Sequence, residues 1–141
     1  MEKNTINNMG MIRFRVIVLW IAIMVGFTLH NLADMMPLFW NVDIVVEPSG
    51  TAPTGLLFFM MTISYLIPVI GLLCVSYMRK TFGAASNIVL AIFIMLFNLF
   101  HSSELFINFN PVQLAILPVM DVLGILLVVD SVKLYKFRKI I

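Results

Sequence analysis

The chain has 141 residues, 62% of them hydrophobic and 11% charged. Soluble domains run near 45–50% apolar and about 25% charged, so this composition excludes a water-soluble fold: the excess apolar surface must face lipid. The net charge of +2 is small, and the basic residues sit at segment ends rather than in one patch, which argues against a nucleic-acid partner.

Four apolar stretches reach the roughly 20 residues that a membrane helix needs. They run over about 16–39, 56–78, 87–109 and 112–134, and predict one all-α membrane domain over 1–141, a four-transmembrane-helix bundle. Arg13 and Arg15 precede the first stretch, which is longer than a signal-peptide core and has no A-x-A site after it, so it reads as a retained helix. The outer loop 40–55 contains Pro48, Gly50, Pro53 and Gly55, all turn formers. Its Val42–Val46 run is expected as a short strand or a segment lying on the membrane. The second stretch carries no charge, and Pro68 inside it frees a backbone carbonyl and favours a kink. After Arg79 and Lys80, the run Gly83-Ala84-Ala85 allows close backbone approach, and Ser86 is expected to cap the third helix. The short turn Asn108–Pro111 makes the third and fourth helices antiparallel neighbours, with Pro111 expected at or just before the fourth helix's first turn.

Counting basic residues orients the bundle. Lys3, Arg13 and Arg15, then Arg79 and Lys80, then Lys133, Lys136, Arg138 and Lys139 all fall on one side, whereas Asp43 and Glu47 fall on the other. The positive-inside rule makes the first side cytoplasmic, with both termini on it, and the expected location is a bacterial inner membrane. Trp20, Tyr77 and Tyr135 near the inner ends, and Trp40 and Phe109 near the outer ends, read as interfacial belts. The one cysteine, Cys74, excludes an internal disulfide and a CxxC pair, and is read as a packing or lipid-facing residue. The 11 methionines are read as packing.

Ionisable residues at membrane depth are costly and therefore functional candidates. At about 1.5 Å rise per residue, His30, His101 and Asp121 each lie roughly 12–13 Å below the outer end of their helix. Ser64 and Tyr65 come at the same level on the second helix, and Asn98 lies one turn deeper on the third. His30 and Asp34 are four apart, and His101 and Glu104 three apart, so each pair shares a helix face. The first and third helices run parallel, which lets two His/carboxylate pairs face each other. Asn31 is a supporting candidate. Asp121 has no basic residue near its depth and ranks with the histidines. Asp130 is expected to pair with Lys133, or with Arg79 or Lys80.

Three readings follow. The first is a site for a proton, another cation or a small ligand: imidazole titrates near neutral pH, a carboxylate favours its charged form, and two His with two carboxylates also suit a transition metal. The second is a haem held between His30 and His101 as an electron carrier. The third is a structural role for these polar groups in an accessory or oligomer-forming subunit, with Gly71, Gly83, Ala84 and Gly124 as contact residues. Four short helices leave little room for a pore in one chain, so transport would favour a homo-oligomer or a larger membrane complex. No Ser/His/Asp elbow, HExxH or phosphate loop is present, which speaks against an enzyme.

The stretches Val18-Leu19-Trp20-Ile21, Asn31-Leu32-Ala33-Asp34, Ile67-Pro68 and Ala85-Ser86-Asn87-Ile88 resemble small bacterial four-helix membrane proteins, similar in size and topology to DoxX-like proteins. The resemblance implies a four-helix bundle with Asp34 as a shared residue. It brings no activity.

Overall fold

A computed structural model describes residues 2–44, 50–51, 53–78, 80–107 and 109–140, with side chains from 7 to 139 within those ranges. Val45, Val46, Glu47, Pro48, Arg79, Asn108 and the Lys3 side chain, on which parts of the expected loop, turn and orientation rest, lie outside the described residues.

Helix α1 runs Glu2–Met35, well before the apolar stretch that announces it. Pro37 cannot donate a helical hydrogen bond, and α1 tightens there into a 3-10 segment, Met36–Trp40. That segment stops at Asn41, whose left-handed φ of 56° brings its N–H onto the Leu38 carbonyl at 3.1 Å. Helix α2 spans Thr54–Ser76. Its middle, Thr62–Leu66, is a π-helical turn, and the Ile67 N–H bonds the Thr62 carbonyl five residues back. The cause lies one residue further on: Pro68 has no N–H for the Ser64 carbonyl, so the ladder widens by one residue there.

Helix α3 runs Thr81–Ser102 and ends in a 3-10 turn, Ser103–Phe106. It starts five residues earlier than Ser86, which therefore lies inside the helix instead of capping it; Lys80 holds the cap position without a side-chain bond. A 3-10 turn, Gln113–Ala115, precedes helix α4, Leu117–Ile140. Pro111 lies two residues before the 3-10 turn that leads into α4, and a second proline, Pro118, occupies the first turn of α4 itself.

All four helices are long and apolar enough to cross a membrane, and the described residues include no strand. Only 17% of the most apolar window of α2 is buried inside the chain, and 33% of those of α3 and α4. The remainder is an apolar girdle of the kind that needs an apolar surrounding.

The helices pack in ring order α1–α2–α3–α4, so α1 and α3 are diagonal partners, and the α3–α4 contact is the most extensive. A core of Val16, Trp20, Ile23, Phe27, Ala91, Ile94, Met120, Leu127 and Leu134 runs down the axis. Helix α2 joins that core through Ile63 and Ile67–Ser76, whereas its first segment, Thr54–Met61, buries no residue. The N-terminal half of α2 thus stands away from the bundle.

Trp20 is not an interfacial residue: it is fully buried. Its Nε1 donates to Asn87 Oδ1 at 2.8 Å, and Asn87 Nδ2 donates to Ser131 Oγ at 2.7 Å. One relay of hydrogen bonds thereby stitches α1, α3 and α4. The Trp20 ring also lies flat on Gly71 of α2, where any Cβ would collide with it. Gly83, Ala84 and Gly124 are likewise used within the chain: Gly83 meets Met78, Gly124 meets Met95 and Ala84 is fully buried. The residues expected to form contacts with other subunits thus serve internal packing.

Two arginines close the same end. Arg13 donates to the carbonyls of Val75, at 3.0 Å, and Ser76. Arg138 donates to Met78 O at 2.6 Å and Val75 O at 3.3 Å. The last carbonyls of a helix lack intrahelical donors, and here guanidinium groups from α1 and α4 supply them. Asp130 accepts from Arg15 at 2.8 Å and Lys133 at 3.5 Å; Arg15 on the neighbouring helix is the partner that sequence spacing does not reveal.

Candidate functional site: a histidine pair beside an apolar cleft

The opposite half of the bundle brings four of the candidate residues together. His30 on α1 and His101 on α3 meet across the diagonal, with their Nε2 atoms 3.0 Å apart. The rings are perpendicular, with centroids 4.8 Å apart. Asp34 lies 3.7 Å from His30 Nε2, and Glu104 lies 3.4 Å from His101 Nδ1. The histidine side chains are 12% and 26% exposed, against 52% and 59% for the two carboxylates. The pair is therefore shielded while its acidic partners reach outward.

Gln113, which sequence reasoning passed over, organises the cluster. Its Nε2 donates to Asp34 Oδ1 and, at 3.4 Å, to the His30 carbonyl. Both are acceptors, so the amide has only one workable orientation. Gln113 Oε1 then faces His30 Nδ1 at 2.6 Å and must receive a proton from it. A neutral imidazole carries one N–H. With that proton on Nδ1, His30 Nε2 is an acceptor, and His101 Nε2 is the donor between the rings. His101 Nδ1 is left as a lone pair, 3.4 Å from Glu104 Oε2. Two acceptors face each other there, and a proton or another cation between them would satisfy both.

The pair opens onto a cleft of about 460 Å³ between α1, α2 and α3. It exists because the N-terminal half of α2 stands away from its neighbours. Phe27, Leu56, Phe59, Met60, Ile63, Phe97 and Phe100 make its walls, with His30, Asn31, Ser64, His101 and Glu104 as its polar lining. Phe97 stacks on the His101 ring at 6.0 Å and 16°.

The other candidates lie apart from the pair or are already engaged. Ser64, at the π-turn, returns its hydroxyl to Met60 O at 2.7 Å. Tyr65 is 59% exposed on the bundle surface. Asn98 is buried and donates to Met120 O at 3.3 Å on α4. Asp121 is not joined to the histidines; its buried Oδ1 has no hydrogen-bond partner among the described residues, and neither does Ser102 Oγ.

Among the described residues no group of three or more His, Cys, Asp or Glu side chains is arranged to hold a metal ion. A metal between two imidazoles needs two bonds of about 2 Å, or about 4 Å in line. At 3.0 Å the two Nε2 atoms share a hydrogen bond and leave no room for a haem iron between them.

One signal in the sequence pointed to Gln113: it is the chain's single glutamine, an amide in an apolar stretch. Another pointed to Asn87: it sits eleven positions before Asn98, three helical turns on the same face. No protein-family model, curated protein or solved structure matches this chain.

Proposed function

We propose that the chain is a non-enzymatic integral membrane protein, crossing the bilayer four times with both termini cytoplasmic, and that its His30–His101 network binds a cation, the proton first, beside a cleft that admits a small apolar ligand. The observation that carries this reading is the Nε2–Nε2 contact of 3.0 Å, with Gln113 setting the tautomer of one ring. Ordinary hydrogen-bonded glue would satisfy every polar atom. This network instead ends on two acceptors, His101 Nδ1 and Glu104 Oε2, at the lip of a cleft. The titratable groups around the pair are Asp34 on α1 and Glu104 on α3. Helix α2 contributes the Ser64 hydroxyl, and the turn before α4 contributes the Gln113 amide. The basic residues of the opposite end supply the orientation through the positive-inside rule.

Nitrogen-15 NMR of the histidines in micelles tests the reading. The expected result at high pH is His30 protonated on Nδ1 and His101 on Nε2. Gln113→Leu is expected to free His30 to move its proton to Nε2. Two rings that both carry Nε2–H would remove the proposal.

A further inference from the structure

In the half that carries the basic residues, α1 and α4 leave a groove of about 430 Å³ between them. Its floor is apolar, with Val18, Leu126 and Val129, and its rim is Arg15, Asp130 and Lys133. The Asp130 side chain is 10% exposed and holds both cations on one oxygen, Arg15 at 2.8 Å and Lys133 at 3.5 Å. The cations themselves remain half-exposed, at 52% and 51%. A guanidinium has five N–H donors and an ammonium three, and one bond from each to Asp130 leaves most of them unused. Two positive charges and one carboxylate leave one net positive charge, fixed at the mouth of an apolar groove.

We propose that this groove binds an anionic phospholipid, with its phosphodiester on Arg15 and Lys133 and one acyl chain along the Val18–Val129 floor. A phosphodiester supplies the single negative charge that the rim lacks. Free inorganic phosphate would make no use of the floor, and a zwitterionic lipid brings its own ammonium against two cations. Basic pockets between membrane helices select anionic headgroups in this way, at about 1 kcal/mol per Lys or Arg. Along α1, Arg15 lies fifteen residues before His30, roughly 22 Å, so this site is separate from the histidine cluster and does not depend on its role.

The test is native mass spectrometry of the full chain released from micelles with equal phosphatidylglycerol and phosphatidylcholine of the same acyl chains. Phosphatidylglycerol is expected to be retained preferentially. Lys133→Gln is expected to lower that preference about fivefold, the equivalent of one charge, whereas Lys136→Gln, outside the groove, is expected to leave it unchanged. Arg15→Gln strips Asp130 of its closer partner; if that variant fails to fold, Arg15→Lys keeps the charge and is expected to keep most of the preference. Equal retention of the two lipids, equal behaviour of the Lys133 and Lys136 variants, or displacement of the lipid by millimolar sodium phosphate would each overturn the proposal.

Discussion

The two halves of the bundle solve the same problem in opposite ways. At the basic end, every buried polar atom discussed has a partner: Trp20, Asn87 and Ser131 form one relay, and the frayed end of α2 is held by Arg13 and Arg138. The Trp20 ring closes on Gly71 without a gap. At the histidine end, α2 stands off, a cleft opens, and two buried polar atoms, Ser102 Oγ and Asp121 Oδ1, lack partners among the described residues. In the lipid setting proposed above, apolar burial does not drive helix association, so packing and interhelical hydrogen bonds must do it. The basic half meets that requirement and serves as the anchor, which leaves the other half free to hold an incompletely satisfied network at a cleft.

If that division is right, stability resides with Trp20. Trp20→Ala removes a fully buried ring that touches two other helices, and is expected to cost about 3–5 kcal/mol in reversible unfolding from mixed micelles. Gly71→Val drives a side chain into the same ring and is expected to cost about 1–3 kcal/mol. His101→Ala, at the open end, is expected to cost less than either. A His101→Ala variant as unstable as Trp20→Ala would erase the contrast between the halves.

Asn87→Leu separates the polar and apolar parts of the anchor. It leaves Trp20 Nε1 and Ser131 Oγ without their partner while keeping the volume. Interhelical hydrogen bonds in membranes average about 0.6 kcal/mol and reach about 1.7, and two are lost, so about 1–3 kcal/mol is expected. A change below about 0.5 kcal/mol would mean that packing on Gly71 alone makes the anchor.

What the sequence disclosed follows from which quantities are local. Apolar runs add up along the chain, so the four helices were legible, although their ends were not: α1 begins at Glu2 because helical hydrogen bonding continues through polar residues that no hydropathy count includes. Depth along a helix is also local, and it brought His30 and His101 to one level. The role of Trp20 was misread because proximity to a span end does not show which face points inward; that depends on Gly71 and Asn87 from two other helices. Gln113 depended on more still, a tight 3-10 turn whose register against α1 is set by the whole bundle. Asp130 divides the same way: its pairing with Lys133 is legible because the two are close in sequence, whereas Arg15 is close only in space.

Gln113→Leu asks whether the open half is held by its amide. Three contacts are lost, to His30 Nδ1, the His30 carbonyl and Asp34, and about 2 kcal/mol of stability is expected to go with them. The larger consequence falls on the tautomer of His30. A variant that loses stability but keeps the Nδ1–H form would show that the amide packs without directing the proton.

The smallest change tests the open half from the other side. Leaving a buried carboxylate oxygen without a partner costs free energy, and replacing an unpartnered polar group with an apolar one of similar size is close to neutral or stabilising. Asp121→Leu is therefore expected to leave stability within about 0.5 kcal/mol or to raise it. The same change at Asp130, which carries Arg15 and Lys133, is expected to destabilise because it strands the Arg15 guanidinium beside an apolar groove. Two aspartates nine positions apart on one helix, giving opposite signs, would locate the boundary between the satisfied and the open half within α4. If Asp121→Leu destabilises as much as Asp130→Leu, Asp121 is held by a partner in the folded protein, and the open half is as tightly bonded as the anchor.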